Sequence, residues 1–152
     1  MFGFSRKKKE IFSPEENELI IEAIRNAEKR TSGEVRVFVE SRCRYVDPID
    51  RAVEIFANLK MMETEHRNAV LLYVAIKDRQ LAVYGDTGIH ERVGKEYWVN
   101  AVRKILAEFN QHHYAQGIAS CVKEIGESLY EHFPYDAKED KNELPDEIIF
   151  GK

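Results

Sequence analysis

The chain has 152 residues, with 23 basic and 27 acidic side chains, a formal net charge of -4, 43% hydrophobic and 33% charged residues. That balance describes one folded domain with enough apolar residues for a core, and it gives no general attraction to nucleic acid or anionic lipid. The longest uninterrupted apolar run, Ala69–Ile76, is far short of the ~20 residues of a membrane-spanning helix; no apolar stretch of signal-peptide length follows the basic start MFGFSRKKKE, so a soluble, cytoplasmic protein without membrane insertion is predicted.

Residues 1–12 are predicted to be a disordered basic segment, and 13–135 a single domain. Ser13-Pro14-Glu15-Glu16 starts a helix, with Ser13 as cap, Pro14 in the first turn and Glu16 able to bond back to the cap amide. Leu19, Ile20, Ala23, Ile24 and Ala27 form its apolar stripe. Gly33 is expected to end it in a left-handed conformation. Glu34–Glu40 (EVRVFVE) alternates, placing Val35, Val37 and Val39 on one side and Arg36 and Phe38 on a less buried one. Asp47-Pro48 starts a second helix with the stripe Ile49, Ala52, Val53, Phe56 and Leu59.

Ala69–Ile76 is apolar throughout and rich in branched residues, which predicts a central strand covered on both faces. Lys77–Gln80 is a polar turn, and Leu81–Tyr84 returns as a hairpin partner. Gly85-Asp86-Thr87-Gly88 then stops the strand. It is either a turn leading into a short helical segment or a loop that holds a ligand. Gly94–Asn110 and Tyr114–Phe133 are helical, and Pro134 ends the second. Gly117 and Gly126 inside it point to close approach by a neighbouring helix. Cys43 and Cys121 have no metal-ligand spacing and read as buried structural thiols. His112-His113 falls in an interhelical loop and reads as surface.

A strand–helix–strand crossover followed by a hairpin gives a small mixed sheet with helices on both faces, a three-layer α/β/α sandwich. Strand direction then sorts the loops. The start of the first strand, the start of the second and the end of the third share one rim. That rim can gather Glu34, Asn68, Asp86 and Thr87, oxygen donors suited to a divalent cation, Ca²⁺ or Mg²⁺, with Arg67 beside them as a phosphate anchor. The opposite rim collects an alternative set, Asp47, Asp50, Asp78 and Arg79, with Arg42 and Arg44, where a helix N-terminus favours an anion. Asp47 is equally explained as a helix cap and Asp78 as a turn residue. No Walker loop, dinucleotide fingerprint, zincin motif or nucleophile elbow occurs, so a hydrolytic activity would need water activated by a bound cation.

The segments TSGEVRV (31–37), RNAVLLYVAIKDR (67–79), AVYGDTGI (82–89), IGESLYEHFP (125–134) and NELPDEI (142–148), in that order, resemble the TPM domain family, in its short bacterial form. The resemblance spans about 13–150. It implies an α/β/α sandwich and a role among those ascribed to the family: acid phosphatase, divalent-cation binder, or accessory factor of membrane complexes. The family's Asn-Gly before the central strand is Asn68-Ala69 here. Two function readings follow: a divalent-cation-binding module with metal-dependent phosphatase-like activity, and a non-catalytic protein-interaction or accessory domain. The acidic tail, 136–152, holds six acids and two lysines over 136–147. Its terminal Ile148-Ile149-Phe150 is expected to dock on the body or on a protein partner. Nothing in the sequence sets an oligomeric state.

Overall fold

The computed structural model describes residues 11–135 and 148–151. The expected basic segment 1–12 lies mostly outside these residues, as does the acidic stretch 136–147. The element order is α1 (Pro14–Arg30), β1 (Glu34–Glu40), α2 (Pro48–Asn58), β2 (Ala69–Ala75), β3 (Gln80–Gly85), α3 (Thr87–Val93), α4 (Lys95–Phe109), α5 (Tyr114–His132) and β4 (Ile148–Phe150). The four-stranded sheet has the order β3-β2-β1-β4. β1 runs parallel to β2 and to β4, and β3 is antiparallel to β2. The mixed sheet with helices on both faces is the α/β/α sandwich read from the sequence.

Period-two alternation sends Val35, Val37, Val39, Val70, Leu72, Val74, Leu81 and Val83 into a core shared with α1, α4 and α5. Phe38, Leu71, Tyr73 and Ala82 enter a second core under α2, with Ala52, Ile55 and Phe56. Each large aliphatic side chain so buried contributes about 1.5–3 kcal/mol. All seven β1 residues are buried, so the expected difference between its faces is absent. On the side of the sheet away from α1, Phe38 joins the core of α2 and Arg51 of α2 reaches over Phe38 to Glu40, and only three apolar β-branched positions were legible as core.

Helix α1 begins with the predicted capping box: Glu16 N–H donates to Ser13 Oγ at 3.1 Å and Ser13 N–H to Glu16 Oε1 at 2.9 Å. Its C-terminus differs from expectation. Thr31, in extended conformation, is the cap, and Gly33 is not among the residues of positive φ. Thr31 Oγ1 donates toward the carbonyls of Leu129 and Phe133, and accepts from Gly33 N–H at 3.0 Å. The end of α1 is thereby tied to the end of α5. Gly33 is small because a Cβ there would lie 2.7 Å from Leu129 and 3.2 Å from the Asn68 carbonyl.

Two predicted core positions are exposed, Leu19 on α1 and Val53 on α2. Cys121 is buried, whereas Cys43 is half-buried, its thiol facing the Tyr45 carbonyl at 3.6 Å. The sheet edges are treated differently. On β1, β4 pairs only with Val37–Val39, and the Glu28 carboxylate accepts from the Val35 N–H at 2.9 Å. Among the described residues, no strand lies beyond β3.

Candidate functional site

The N-terminal rim of the parallel strands brings several sequence-predicted residues together. In register, Glu34 lies opposite Ala69, and Asp86 N–H donates to the Ala69 carbonyl at 2.9 Å. Glu34 and Asp86 therefore flank Ala69, on the same face of the sheet and about 10 Å apart across it, two strand spacings. Both are buried, as is Asn68. Alternation places the Asn68 side chain on the opposite face. Its Nδ2 donates to Ser32 Oγ at 3.3 Å, and its buried Oδ1 has no hydrogen-bond partner among the described residues. Thr87 is the first residue of α3 and is exposed.

The Gly-Asp-Thr-Gly segment has a definite structural job. Asp86 caps α3 and accepts from Thr87 N–H at 2.8 Å. Its carboxylate also accepts from Arg67 Nε at 2.6 Å and Nη2 at 2.8 Å, a bidentate pair with the charge-assisted geometry of a guanidinium on a carboxylate. The bonds to Asp86, followed by its charge, raise the Arg67 pKa above its ordinary value. Gly88 N–H donates to the Arg67 carbonyl at 2.8 Å. A Cβ on Gly88 would sit 2.1 Å from the His66 carbonyl oxygen, so only glycine lets the 64–68 loop pass. Arg67 itself holds φ +52°. Arg92 donates to the Gly88 carbonyl at 2.9 Å and lies over the Phe133 ring.

Of the alternative set, Asp78 and Arg42 are joined by a hydrogen bond. Asp47 caps α2 through Ile49 N–H at 3.0 Å. Asp78 accepts from Arg42 at 3.1 Å and from Cys43 N–H at 2.7 Å. Asp50 and Arg79 are exposed. Among the described residues, no group of three or more His, Cys, Asp or Glu side chains is placed to hold a metal ion. Nor is any helix long and apolar enough to cross a membrane.

Sequence reading missed the polar cluster that does form on this second rim. Glu40, buried, accepts from Arg51 Nε and Nη2, each at 3.0 Å, and from the Tyr73 hydroxyl. Burial first, then the bond to Glu40, holds the Tyr73 phenol far above its ordinary pKa. Arg51 also reaches Glu54 at 2.5 Å. The available signal was Tyr73 as the sole hydroxyl in the apolar run, on the same strand face as Glu40 one strand over. The sequence reading also missed a cleft of about 600 Å³ along β3, between the start of α2 and the outer side of α4, lined by Ile49, Tyr84, Trp98, Val99 and Val102 among others.

Comparison with known proteins agrees with this architecture. The TPM domain family model matches residues 6–128. The NMR structure of BA42 protein from the psychrophilic bacterium Bizionia argentinensis is 39% identical, with a TM-score of 0.86, over 95% of this chain and 99% of that one. The chain belongs to the TPM domain family. The N-terminal domain of cg2496 protein from Corynebacterium glutamicum shares the fold, with a TM-score of 0.58 and 16% identity over 78% of this chain and 74% of that one. A search of curated proteins finds no match.

Proposed function

We propose that the protein is a divalent-cation-binding module whose site is the rim around Asp86. The observation that supports it is the way the Asp86 charge is met. The carboxylate is buried, but the guanidinium that balances it belongs to an arginine whose side chain is 48% exposed. A buried carboxylate needs a counter-charge, and Ca²⁺ or Mg²⁺ can serve in place of a displaceable guanidinium. The donors fit in kind but are spread out: Asp86 is the primary ligand with the Thr87 hydroxyl next to it, while Glu34, two strand spacings away, and Asn68, on the opposite face, stand on the same rim and would have to move to join them. A bound cation would supply charge neutralisation and polarise a phosphoryl oxygen or a water. Arg67, released from Asp86, would anchor the phosphate of an ester. Phosphatase-like activity is the finer form of this reading.

The test is titration of Ca²⁺ and of Mg²⁺ into ¹⁵N-labelled protein, following the Arg67 Nε–H signal with the amides of residues 34, 68 and 85–88. Saturable shifts of that set, lost in Asp86→Asn, support the proposal. Shifts confined to other acidic surfaces, or unchanged in Asp86→Asn, refute it. Phosphate-ester hydrolysis measured with and without chelator then decides the catalytic part, which fails if activity survives both chelator and Asp86→Asn.

A further inference from the structure

We propose that the β3 edge is a peptide-docking site, which receives an extended segment of another protein as a fifth strand. Asp86 N–H bonds the Ala69 carbonyl, and antiparallel pairing makes bonding groups alternate along the strand. Gln80, Ala82 and Tyr84 therefore bond to β2, and the backbone N–H and C=O of Leu81 and Val83 point to the open edge. No described residue bonds them. A row of unused main-chain donors and acceptors is a template for strand addition, and here it forms the floor of the 600 Å³ cleft.

The shape of the cleft selects the occupant. Leu81 and Val83 are only 5% and 4% exposed although they lie on an edge strand, so the edge is recessed between α2 and α4. Two recessed edges cannot approach to the ~4.8 Å spacing of paired strands, because the helices of the two copies meet first. A single extended segment can enter. Its side chains would alternate between two walls, Pro48 and Ile49 on one side and Val99 and Val102 on the other. Both walls are apolar, so the segment is apolar at successive positions rather than at every second one.

The ends of the cleft carry opposite charge. Asp47 precedes α2 on the rim where β3 begins, and Lys95 opens α4, one helical turn before Trp98, whose indole lies against Gly85 at the end of β3. Lys95 lines the cleft at that end. For antiparallel addition, the more stable pairing, the complementary segment has acidic residues before its apolar run and basic residues after it.

The experiment titrates ¹⁵N-labelled full-length protein with a capped synthetic peptide of two glutamates, four branched apolar residues and two lysines, in that order. Expected are amide shifts confined to β3 and the facing turns of α2 and α4, with slowed exchange of the Leu81 and Val83 N–H groups. Val99→Glu, at a position already 40% exposed, should leave the fold intact and weaken binding about tenfold or more. A peptide with glutamates and lysines interchanged should bind about threefold more weakly, and Lys95→Glu, which makes both ends acidic, should abolish that preference. A peptide methylated on alternate backbone nitrogens facing β3 should not bind. The proposal is overturned by absence of shifts at millimolar peptide, by shifts mapping to the β1 edge, or by full binding of the methylated peptide. Protein-concentration-dependent shifts of the β3 amides without peptide also overturn it, since they would assign the edge to a second copy.

Discussion

Arg67 closes on Asp86 with two hydrogen bonds, joining the loop before β2 to the cap of α3. The pair links two segments 19 residues apart in sequence at the rim where three strand ends meet. Removing either partner exposes how much the rim relies on it. Arg67→Ala leaves a buried carboxylate without its guanidinium, and Asp86→Asn keeps a competent cap but loses the charge pair. Each should lower the melting temperature, and the double variant should lose less than the two single losses combined. Calorimetry on the four proteins gives the coupling; strictly additive losses would show that the pair contributes nothing.

Gly88→Ala should destabilise by about 1–3 kcal/mol, because the added carbon meets backbone that cannot move aside as a side chain could. At the size of this domain that is a fall of about 2–4 °C per kcal/mol. Thermal unfolding followed by circular dichroism checks it, and an unchanged midpoint would show that the 64–68 loop yields freely.

Burial raises the Cys121 thiol from 9.0 to about 12. In the unfolded chain the proton leaves first, so between those values the folded state binds more protons and stability falls as pH rises. Tyr73, also raised, adds to the decline above pH 10. Urea unfolding from pH 8 to 11 should show this slope, and Cys121→Ala should flatten its lower part. An identical slope in the variant would assign the alkaline loss elsewhere.

The two thiols should also differ in reactivity. Half-buried Cys43 should be modified by an aromatic disulfide reagent in native buffer, and Cys121 only after unfolding. Fast modification of both would place Cys121 nearer the surface than the packing of α5 allows.

Tyr73→Phe keeps the ring but removes the hydroxyl bond to Glu40. A cost of about 1–3 kcal/mol is expected, measurable by denaturant titration. No loss would mean that Arg51 alone satisfies the carboxylate.

Much of the fold was legible because its signals are local. The Ser13–Glu16 box, the unbroken apolar run of β2 and Pro134 each state an element boundary in adjacent residues. Strand direction then placed Glu34 and Asp86 on one rim. The pairing of Asp86 with Arg67 was not legible: Arg67 reads from the sequence as a phosphate anchor, and only the left-handed turn at this residue carries it back over the cap. Glu40, Arg51 and Tyr73 were invisible as a cluster because they belong to three separate elements. The β3 cleft depends on where α4 comes to rest, and helix packing angle is not written in a stripe. Exposed Leu19 and Val53 sit in apolar stripes at helical spacing, and spacing alone cannot tell the innermost residue from one on the margin.

The edge that β4 closes is held by a short and distant partner. Ile148 pairs with Val37, far from it in sequence, and only three residues on each side take part. Joining ends so far apart costs chain entropy before the pairing returns anything. β4 is therefore expected to be late to join the sheet and early to leave it, and deuterium should enter the Ile148–Phe150 amides well before those of β2.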